Sequence, residues 1–546
     1  MSVISSKTKS QLLLLPIIMV TIVPILTVFS YLFFPTTELW SHLANNLLFT
    51  YLSNSLIIVI SVATITLIIG VSLAWLIAMC DFPGKNIFKW LVVMPIAIPT
   101  YVSAYIYAGL LEPSGLLFDF LDDYFNLGKD LYAMTDMRNI YGVIFILSVC
   151  LYPYVYLLCY SSFKEQSYSA FEVGQSMGFN KLDCFKKISL PLARPSIIAG
   201  ISFVIMETFA EFGTVDYYGV STFTTGIFRT WFTLGDETSA LHLASLLLTF
   251  IFFVIILERL SRGRSQYIHT SKKLVYTKSF ILNRNQKIYA FSWCLLISLF
   301  GFIIPMIQLL SWFQETYTYI FENSYIKLLL NTVLVAGIAS IIIVIVSLYL
   351  SYLNRSIKST FVNITLRVFS IGYSIPGVII AIGIIVPLTS LDTLQSYLFG
   401  APIYYLSGSI IALIIAYFVR FSTISFNTTE SGLTKINNNI DLTAKSFGLS
   451  NISIIRKIHI PMMRTTVITA LILVFVDIVK ELPATLILRP FNFDTLSVNI
   501  YELASAEQLS YIASPSLLLI IIGLIPVIML MKQTNNKDEV KIETGH

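Results

Sequence analysis

Charged residues are scarce in this sequence. Only 12% of the 546 residues are Asp, Glu, Lys or Arg, whereas 56% are hydrophobic and the mean hydropathy is +0.80. A soluble domain carries about 25% charged residues. This composition therefore excludes an ordinary soluble domain and predicts a membrane protein.

Signatures of nucleotide and catalytic chemistry are also lacking. No G-x-x-x-x-G-K-[ST] segment occurs, and "FPGKN" at Phe82 lacks both the upstream glycine and the hydroxyl residue. Because that loop is what cradles the phosphates of ATP, we do not expect the chain to hydrolyse ATP by that route. No cluster of nucleophile, base and orienting residue stands out either. We expect no enzyme, no catalytic residues and no cofactor in this chain.

Cysteine and histidine are few and scattered. The five cysteines lie within or beside apolar runs or, for Cys184, in a segment assigned below to the cytoplasm, so no disulfide framework is expected. The histidines show no metal-ligand spacing, and we expect them in loops or at the membrane interface. These residues are Cys80, Cys150, Cys159, Cys184 and Cys294, and His42, His242, His269, His459 and His546.

Apolar runs of helix length recur along the chain. A hydrocarbon core of ~30 Å needs about 20 apolar residues as a helix. Continuously apolar segments such as "SLIIVISVATITLIIGVSLAWLIA" exclude barrel strands, which alternate over ~10 residues. We therefore predict an all-α polytopic membrane protein with about twelve spans, at residues 12–34, 54–79, 90–111, 140–162, 195–215, 240–258, 288–312, 328–353, 366–388, 406–426, 465–488 and 512–531.

The basic residues predict which side each loop faces. Five lie between spans four and five, and the linker from Arg259 to Lys287 holds eight Lys or Arg and no acid. The loop from Glu112 to Asn139 instead holds six acids against two bases. Because short cytoplasmic loops are rich in Lys and Arg, both termini and the linker are predicted to be cytoplasmic.

An internal repeat organises the chain. An offset of 270 residues aligns Gly178 with Gly448 and Pro191 with Pro461, and an offset of 277 pairs Pro99 of the first half with its counterpart Pro376. Two six-span halves in the same orientation indicate a parallel repeat, with a substrate pathway between the halves.

Two basic segments, "EVGQSMGFNKLDCFKKISLPLARP" and "LTAKSFGLSNISIIRKIHIPMMRT", occupy the same place in each repeat. Each is predicted as a short helix ended by a glycine, then an amphipathic helix stopped by a proline. In the second copy Ile452, Ile455 and Ile458 are expected to share one apolar face. A lone helix of this kind would favour an interfacial position against lipid. Two copies in the same order favour docking surfaces for a pair of soluble subunits.

These segments resemble the EAA loop, E-A-A-x3-G-x9-I-x-L-P, of type I (MetI-like) ABC importer permeases. Glu172, Gly178, Ile188 and Pro191 match it in the first copy, whereas the second copy has Asp441 one place early. The resemblance implies that both loops couple to ATPase subunits. The residues expected to do so are Glu172, Gly178, Lys187, Ile188, Pro191, Arg194, Gly448, Lys457, Ile458, Pro461 and Arg464.

The resemblance covers nearly the whole chain and implies a domain order. This order comprises residues 1–49 with the first span, 50–258 as the first permease domain with loop 163–194, 259–287 as the linker, 288–324 as an extra span, 325–531 as the second permease domain with loop 427–464, and 532–546 as the tail.

Among fused permeases of this family, the stretches from Met206 and Val479 look most like ferric-iron permeases. Thiamine and phosphonate permeases remain alternatives. The resemblance also implies two copies of a separate ATPase, a binding protein outside the membrane, and a single fused permease chain in a bacterial inner membrane.

Carboxylates lie inside the predicted membrane spans. Glu207 lies about 18 Å beyond Pro195, near the middle of a ~30 Å core, and Glu211 follows one turn later. Asp477 and Glu481 repeat the pair. They are expected either to form ion pairs with Lys480, Arg229 or Arg489, or to line the pathway and make transient, weak contact with Fe(III), which prefers oxygen ligands.

A secondary transporter driven by an ion gradient is the alternative from another class, since it can also have two parallel halves of six spans. The loop "CDFPGKNIFK" after span two lacks the G-x-x-x-D-R-x-G-R-R pattern of the major facilitator family. The paired basic segments therefore favour the ATP-driven importer.

Overall fold

A computed structural model of the chain describes residues 14–112, 115, 123–124, 136–166, 174, 176–262, 280–321, 323–357, 359–400 and 405–543. Helices dominate these residues. The first repeat and the linker contain α1 (Leu14–Ser30), α2 (Glu38–Asn46), α3 (Leu48–Met79), α4 (Lys85–Leu91), α5 (Thr100–Leu111), α6 (Ile140–Glu165), α7 (Lys181–Cys184), α8 (Leu190–Ala210), α9 (Gly213–Tyr217), α10 (Phe223–Phe228) and α11 (Glu237–Arg262).

The second repeat continues the series. It contains α12 (Arg284–Ser298), α13 (Ile304–Thr316), α14 (Asn323–Ser356), α15 (Thr360–Phe369), α16 (Gly377–Phe399), α17 (Ile410–Leu433), α18 (Asn438–Ser446), α19 (Asn451–Ile454), α20 (Ile460–Met462), α21 (Arg464–Lys480), α22 (Pro483–Leu488), α23 (Leu496–Ser505) and α24 (Ala513–Glu543). Two short strands, β1 (Cys80–Asp81) and β2 (Phe280–Ile281), pair in parallel.

Shorter helical turns join these elements. The 3-10 turns are Tyr31–Phe33, Met94–Ala97, Tyr317–Phe321, Gly372–Ser374 and Leu509–Ile512, and the π turns are Phe185–Ser189, Arg229–Thr233, Leu299–Ile303 and Ile455–His459.

The described residues include ten helices that are long and apolar enough to cross a membrane, and twelve if two bent pairs each count as one span. The predicted twelve spans are thus consistent with the structure. The third predicted span is one of the bent pairs, Lys85–Ala97 and Thr100–Leu111, which meet at 94°. The ninth begins at Gly377 rather than at residue 366. In both places a proline with an extended backbone, Pro99 or Pro376, precedes the membrane helix, because proline cannot continue a preceding helix.

The internal repeat is visible in the element bounds. Helices α6 and α17 begin at equivalent positions, and so do α5 and α16 at the other offset. Asn54 and Asn331, which are 277 residues apart, make the same kind of hydrogen bond. Asn54 Nδ2 donates to the backbone carbonyl of Ser221 at 2.9 Å, and Asn331 Nδ2 donates to the backbone carbonyl of Asp494 at 3.1 Å. At this contact the two repeats therefore fold alike.

The two compact units of the structure are not the two halves of the sequence. One unit combines α1 with the helices from α14 to α22. The other combines the helices from α3 to α9 with α12, α13 and α24. Helix α11 divides between them after Thr249. The first unit therefore contains the middle spans of the second repeat and the first span of the first repeat. The second unit contains the middle spans of the first repeat and both end spans of the second.

Helix α1 packs closely on α16 in the first unit. A Cβ atom added to Gly383 would lie 2.5 Å from the carbonyl oxygen of Pro24, so only glycine permits this approach. The entrance to α11 is fixed by Asp236, which accepts hydrogen bonds from the Thr37 hydroxyl at 2.7 Å and the Ser239 amide at 2.9 Å. His242 is buried beside them, which corrects its predicted position in a loop or at the interface.

Helices α3, α6 and α8 form the centre of the second unit. A Cβ atom on Gly70 would lie 2.7 Å from Val155 Cβ, and one on Gly200 would lie 2.9 Å from Val155 Cα. Both distances are too short for a real side chain. Small residues therefore let these three apolar helices pack backbone to backbone, as is typical of helix contacts inside membranes.

Candidate functional site

The first loop segment begins with a turn at Gly178. Its predicted acidic residue, Glu172, lies outside the described residues. Gly178 has a φ of +83°, a conformation that favours glycine, and no atom lies within 4 Å of a Cβ added there. Lys187 is exposed, pairs with Asp183 at 3.1 Å and lies 4.6 Å from the centre of the Phe179 ring. Gly178 and Lys187 thus lie on the outer side of the loop.

The inner side of the first loop is fastened to its own bundle. The buried Gln166 side chain donates to the carbonyl of Ser189 at 3.1 Å. A Cβ atom on Gly174 would lie 2.6 Å from Ile188 Cδ1, so Ile188 packs against this glycine. Ile188 therefore helps to hold the loop against its own bundle, and its coupling role stays a prediction.

The second loop segment repeats the turn, with a φ of +76° at Gly448. This loop is held to its own helices by an ionic cluster. The buried Asp441 carboxylate accepts from Arg355 Nε at 2.7 Å and contacts His459 Nε2 at 2.6 Å. Arg355 Nη1 also donates to the carbonyls of Leu433 and Ile436, at 2.6 and 2.7 Å.

This cluster was not foreseen from the sequence. His459 is buried rather than in a loop or at an interface, and Asp441 had been noted only as a departure from the EAA pattern. The feature of the sequence that could have indicated this cluster is the acidic residue Asp441 in an otherwise basic loop.

The apolar face of the second loop differs from the prediction. Ile454 and Ile455 are buried and Ile458 packs beside them, but Ile452 is 68% exposed. Ile452 lies in the first turn of α19, before the π turn Ile455–His459 begins, and this end of the helix leaves its side chain uncovered. Ile452 is therefore free to face another molecule.

The prolines do not stop the amphipathic helices as predicted. Pro191 lies in the first turn of α8, which continues to Ala210. Pro461 lies in α20, and the chain bends by 90° only at Met463, before α21. In both loops a π turn directly precedes the helix that contains the proline. Its longer hydrogen-bond spacing accommodates a residue that lacks an N–H.

The outward surfaces of the two loops are alike. The residue before each glycine is a large apolar one with a mostly exposed side chain, Met177 at 68% and Phe447 at 81%. The exposed residues around them include the predicted coupling residues Lys187, Pro191, Arg194, Lys457, Pro461 and Arg464. Each loop therefore offers an apolar tip surrounded by positive charge.

The outer carboxylate of each predicted pair lies beyond its helix. Helix α8 ends at Ala210 and α21 ends at Lys480, so Glu211 and Glu481 are not one helical turn beyond Glu207 and Asp477, as the sequence had suggested. Glu211 accepts from the Thr214 amide at 2.9 Å, and Glu481 accepts from the Ala484 amide at 3.0 Å. Each thus caps the short helix that follows.

The inner carboxylates, Glu207 and Asp477, are half-buried in α8 and α21. Asp477 lies within electrostatic reach of Lys480, one of the predicted partner cations. Arg489 instead pairs with Asp494 and Glu502. Within the described residues no three His, Cys, Asp or Glu side chains come together as a metal site.

The two capping carboxylates differ in their second partner. Glu211 accepts from the Thr100 hydroxyl at 2.6 Å. The repeat offsets place Gly377 opposite Thr100 and Arg420 opposite Cys150. Arg420 Nη1 lies 4.0 Å from Glu481 Oε1. Arg420 was not predicted from the sequence, although an ionisable residue inside an apolar run is by default a candidate functional residue.

Comparison with known proteins identifies the family. The sequence profile of the family described as "Binding-protein-dependent transport system inner membrane component" matches residues 66–266 and 344–533, well over half of the chain and once in each repeat. Both matched regions contain one of the loops described above.

Curated relatives agree with this match. The chain is 24% identical over 472 residues to an Fe(3+)-transport system permease protein of Haemophilus influenzae, covering 85% of this chain and 86% of the relative. It is 24% identical to a ferric transport system permease protein of Actinobacillus pleuropneumoniae, covering 79% of this chain and 63% of that one. A sulfate transport system permease protein of Salmonella typhimurium matches 27% of this chain and 50% of its own length at 26% identity. With the profile matched in both halves, the chain is a fused, two-repeat permease of the binding-protein-dependent ABC transport family.

Proposed function

We propose that this permease carries ferric iron into the cytoplasm by alternating access, driven by two copies of a separate ATPase. The observation that carries the proposal is the pair of loops around Gly178 and Gly448. They share the positive-φ turn, the π turn and an exposed apolar tip, so two like subunits can dock in the same way. The chain itself supplies no catalysis and no cofactor.

Iron is the favoured cargo for two reasons. The relatives that match along most of the chain are named as Fe(3+) and ferric transport permeases. Glu207 and Asp477 also place carboxylate oxygens inside the membrane helices, and hard Fe(III) prefers oxygen ligands. Their contact with iron is weak and transient, because a tight site would not release the ion.

The orientation follows from the charge of the loops. The basic linker and the two basic loops favour a cytoplasmic position for both termini and for both ATPase docking sites. A solute-binding protein delivers iron on the opposite side of the inner membrane, where the acidic loop from Glu112 is one candidate contact.

Docking of the ATPase is tested by changing the loop tips. Met177→Glu and Phe447→Glu should each reduce copurification of the ATPase, because a charge replaces an exposed apolar contact. Phe491→Glu is the matched control, since Phe491 is 94% exposed and lies outside both loops. Equal ATPase recovery from all three variants would reject docking through the tips.

Energy source and cargo are tested by uptake of labelled iron into vesicles. Uptake should require both the ATPase and ATP, and excess thiamine or phosphonate should not compete with it. Uptake without the ATPase, driven by a proton or sodium gradient, would favour a secondary transporter. Glu207→Gln combined with Asp477→Asn should lower iron uptake while leaving ATPase binding unchanged. Unaltered uptake would show that these carboxylates are structural.

A further inference from the structure

The linker between the two repeats ends in a short strand beside the first loop segment. This strand, β2, pairs in parallel with β1, which directly follows α3. Helix α12 begins at Arg284, three residues after β2 ends, and its Trp293 donates from Nε1 to Ser72 Oγ of α3 at 3.0 Å. The chain that leaves the basic linker is therefore attached to the end of α3 by two separate contacts.

Phe280 is the apolar anchor of this strand. Its side chain is buried, and the centre of its ring lies 5.7 Å from that of Trp75. The Trp75 ring also packs on Phe163, with ring centres 5.6 Å apart, and on Phe185, with ring centres 4.9 Å apart. Phe185 is the first residue of the π turn in the first loop segment. One tryptophan of α3 therefore connects the end of the linker with this loop.

The ring cluster of Trp75, Phe163, Phe185 and Phe280 lies directly behind the exposed side of the loop. Phe185 stands two residues before Lys187, which is exposed. Phe163 and Phe185 also contact each other, with ring centres 6.5 Å apart. Because aromatic pairs prefer particular orientations, several rings in mutual contact restrict the position of the π turn. Loss of the Phe280 ring would uncover one side of Trp75 and loosen Phe185 with it.

The second repeat provides an internal comparison. Tyr352 stands 277 residues after Trp75, at the equivalent position. It is buried, donates to Asn451 Oδ1 at 2.9 Å, and its ring centre lies 5.4 Å from that of His459. Among the described contacts, the second loop is thus held by residues of its own repeat. The two loops share their outward tips but are attached differently, and the contact from the linker belongs to the first loop.

We propose that Phe280 is a positioning residue for the first loop, and that the end of the linker holds this loop in the orientation that the ATPase recognises. The inference rests on the proposed function, because it takes the loop around Gly178 as a docking surface. The linker then does more than join the two repeats covalently. Since it contacts only the first loop, its displacement should weaken docking on one side of the permease.

The first test measures the position of the loop with no ATPase present. Cys80 pairs with Phe280, Cys184 precedes Phe185, and both cysteines are buried. In the purified full chain in detergent, Phe280→Ala should raise the rate of maleimide labelling at both by about tenfold, because local opening exposes them. The other three cysteines, which lie inside α6 and α12, should keep their rates. Mass spectrometry of peptides identifies each labelled cysteine.

Phe291→Ala is the matched control. Phe291 lies on α12 of the same compact unit and packs on Phe88, with ring centres 5.3 Å apart. Its replacement should leave labelling of Cys184 unchanged. Phe280→Leu keeps a large apolar side chain, so labelling of Cys184 should rise by only about two- to threefold relative to Phe291→Leu. This pair also serves if Phe280→Ala does not fold. Equal rates at Cys184 in the matched Phe280 and Phe291 variants would overturn the positioning role.

The second test asks whether docking is affected through the first loop alone. The ATPase is titrated onto the immobilised permease, and the concentration for half-maximal binding is measured. Phe280→Ala should raise this concentration about 3–10-fold, because the loop must then be ordered on binding. Combined with Met177→Glu, which alters the first loop, it should add less than about twofold, whereas combined with Phe447→Glu it should keep its full effect. Equal effects in both combinations would indicate general damage to the fold and would overturn the proposal.

The two tests separate this inference from the proposed function. If the loop-tip variants alone leave ATPase binding unchanged, docking through the tips is rejected, and labelling of Cys184 still decides whether Phe280 positions the loop. If the tip variants weaken binding but Phe280→Ala does not, the loop is a docking surface that the linker does not position. That second result would overturn the inference and leave the proposed function intact.

Discussion

Replacing Asp441 by alanine should loosen the second coupling loop. The change removes the carboxylate that lies 2.7 Å from Arg355 Nε and 2.6 Å from His459 Nε2. Arg355 cannot move into solvent easily, because its Nη1 remains bonded to two backbone carbonyls. The variant thus leaves a positive charge buried without its anion, which costs about 3–5 kcal/mol.

The loss is expected as a lower melting temperature. For a compact unit of about 250 residues, each kcal/mol corresponds to roughly 2–4 °C, so the drop should be about 6–20 °C. The loss of helical circular dichroism reports the transition, because all five cysteines lie in the other compact unit. Transport and ATPase binding should fall in parallel, because the loop no longer has a fixed position against its own helices.

The first loop offers a matched control. Asp183 pairs with Lys187 on an exposed surface, where such a pair contributes less than about 1 kcal/mol. Asp183→Ala should therefore melt within a few degrees of the unaltered chain. Combining Asp441→Ala with Arg355→Met should recover part of the loss, since the orphaned charge is then removed. If Asp441→Ala melted no lower than Asp183→Ala, the ionic fastening of the second loop would be refuted.

Three further predictions concern turns, close helix contacts and a capping acid. Gly448→Ala should destabilise by about 1–2 kcal/mol because of the positive φ alone, whereas Gly337→Ala, in an open helical position, should stabilise by about 0.5–1 kcal/mol in the same melting assay. Gly70→Ala should cost about 1–3 kcal/mol, because its Cβ would overlap Val155; a melting temperature equal to that of Gly337→Ala would contradict the close packing. Burial alone would raise the pKa of Asp236, but hydrogen bonds from neighbouring hydroxyl and amide groups outweigh it and lower that pKa. The stabilisation by the Asp236 carboxylate is therefore complete above the pKa of the unfolded chain and is lost as pH falls through the lower pKa of the folded chain. The difference in stability between the unaltered chain and Asp236→Asn should thus be constant above about pH 5 and shrink towards pH 3. A difference in stability that increased at acidic pH would contradict a lowered pKa of Asp236.

Hydropathy and the repeat could be predicted from the sequence because both depend on local composition and order. Apolar length alone located the twelve spans, and the spacing of Gly178 and Gly448 located the turns that the structure places at positive φ. The π turns could not be predicted in this way. They depend on how a proline such as Pro191 is accommodated by the preceding turn. The exposure of Ile452 could not be predicted either, because it depends on which neighbours cover the first turn of α19.

The partners of the intramembrane charges could not be predicted because they depend on tertiary contacts. The acids at Glu211 and Glu481 were found from the sequence, but their capping role required knowledge of where α8 and α21 end. The pairing of Asp441 with His459 crosses two short helices that sequence spacing does not bring together. Arg420 could be read in the sequence, but its position 4.0 Å from Glu481 could be seen only in the structure.

The distribution of helices between the compact units has a consequence for synthesis. The ribosome releases α3 to α9 early, but α24, which belongs to the same unit, emerges last. Likewise α1 is made first and must wait for α16, its packing partner, from the other repeat. Neither unit can complete its packing until the last of its helices has been synthesised. Expressing the two repeats as separate polypeptides should therefore yield insoluble or degraded fragments unless both are produced in the same cell.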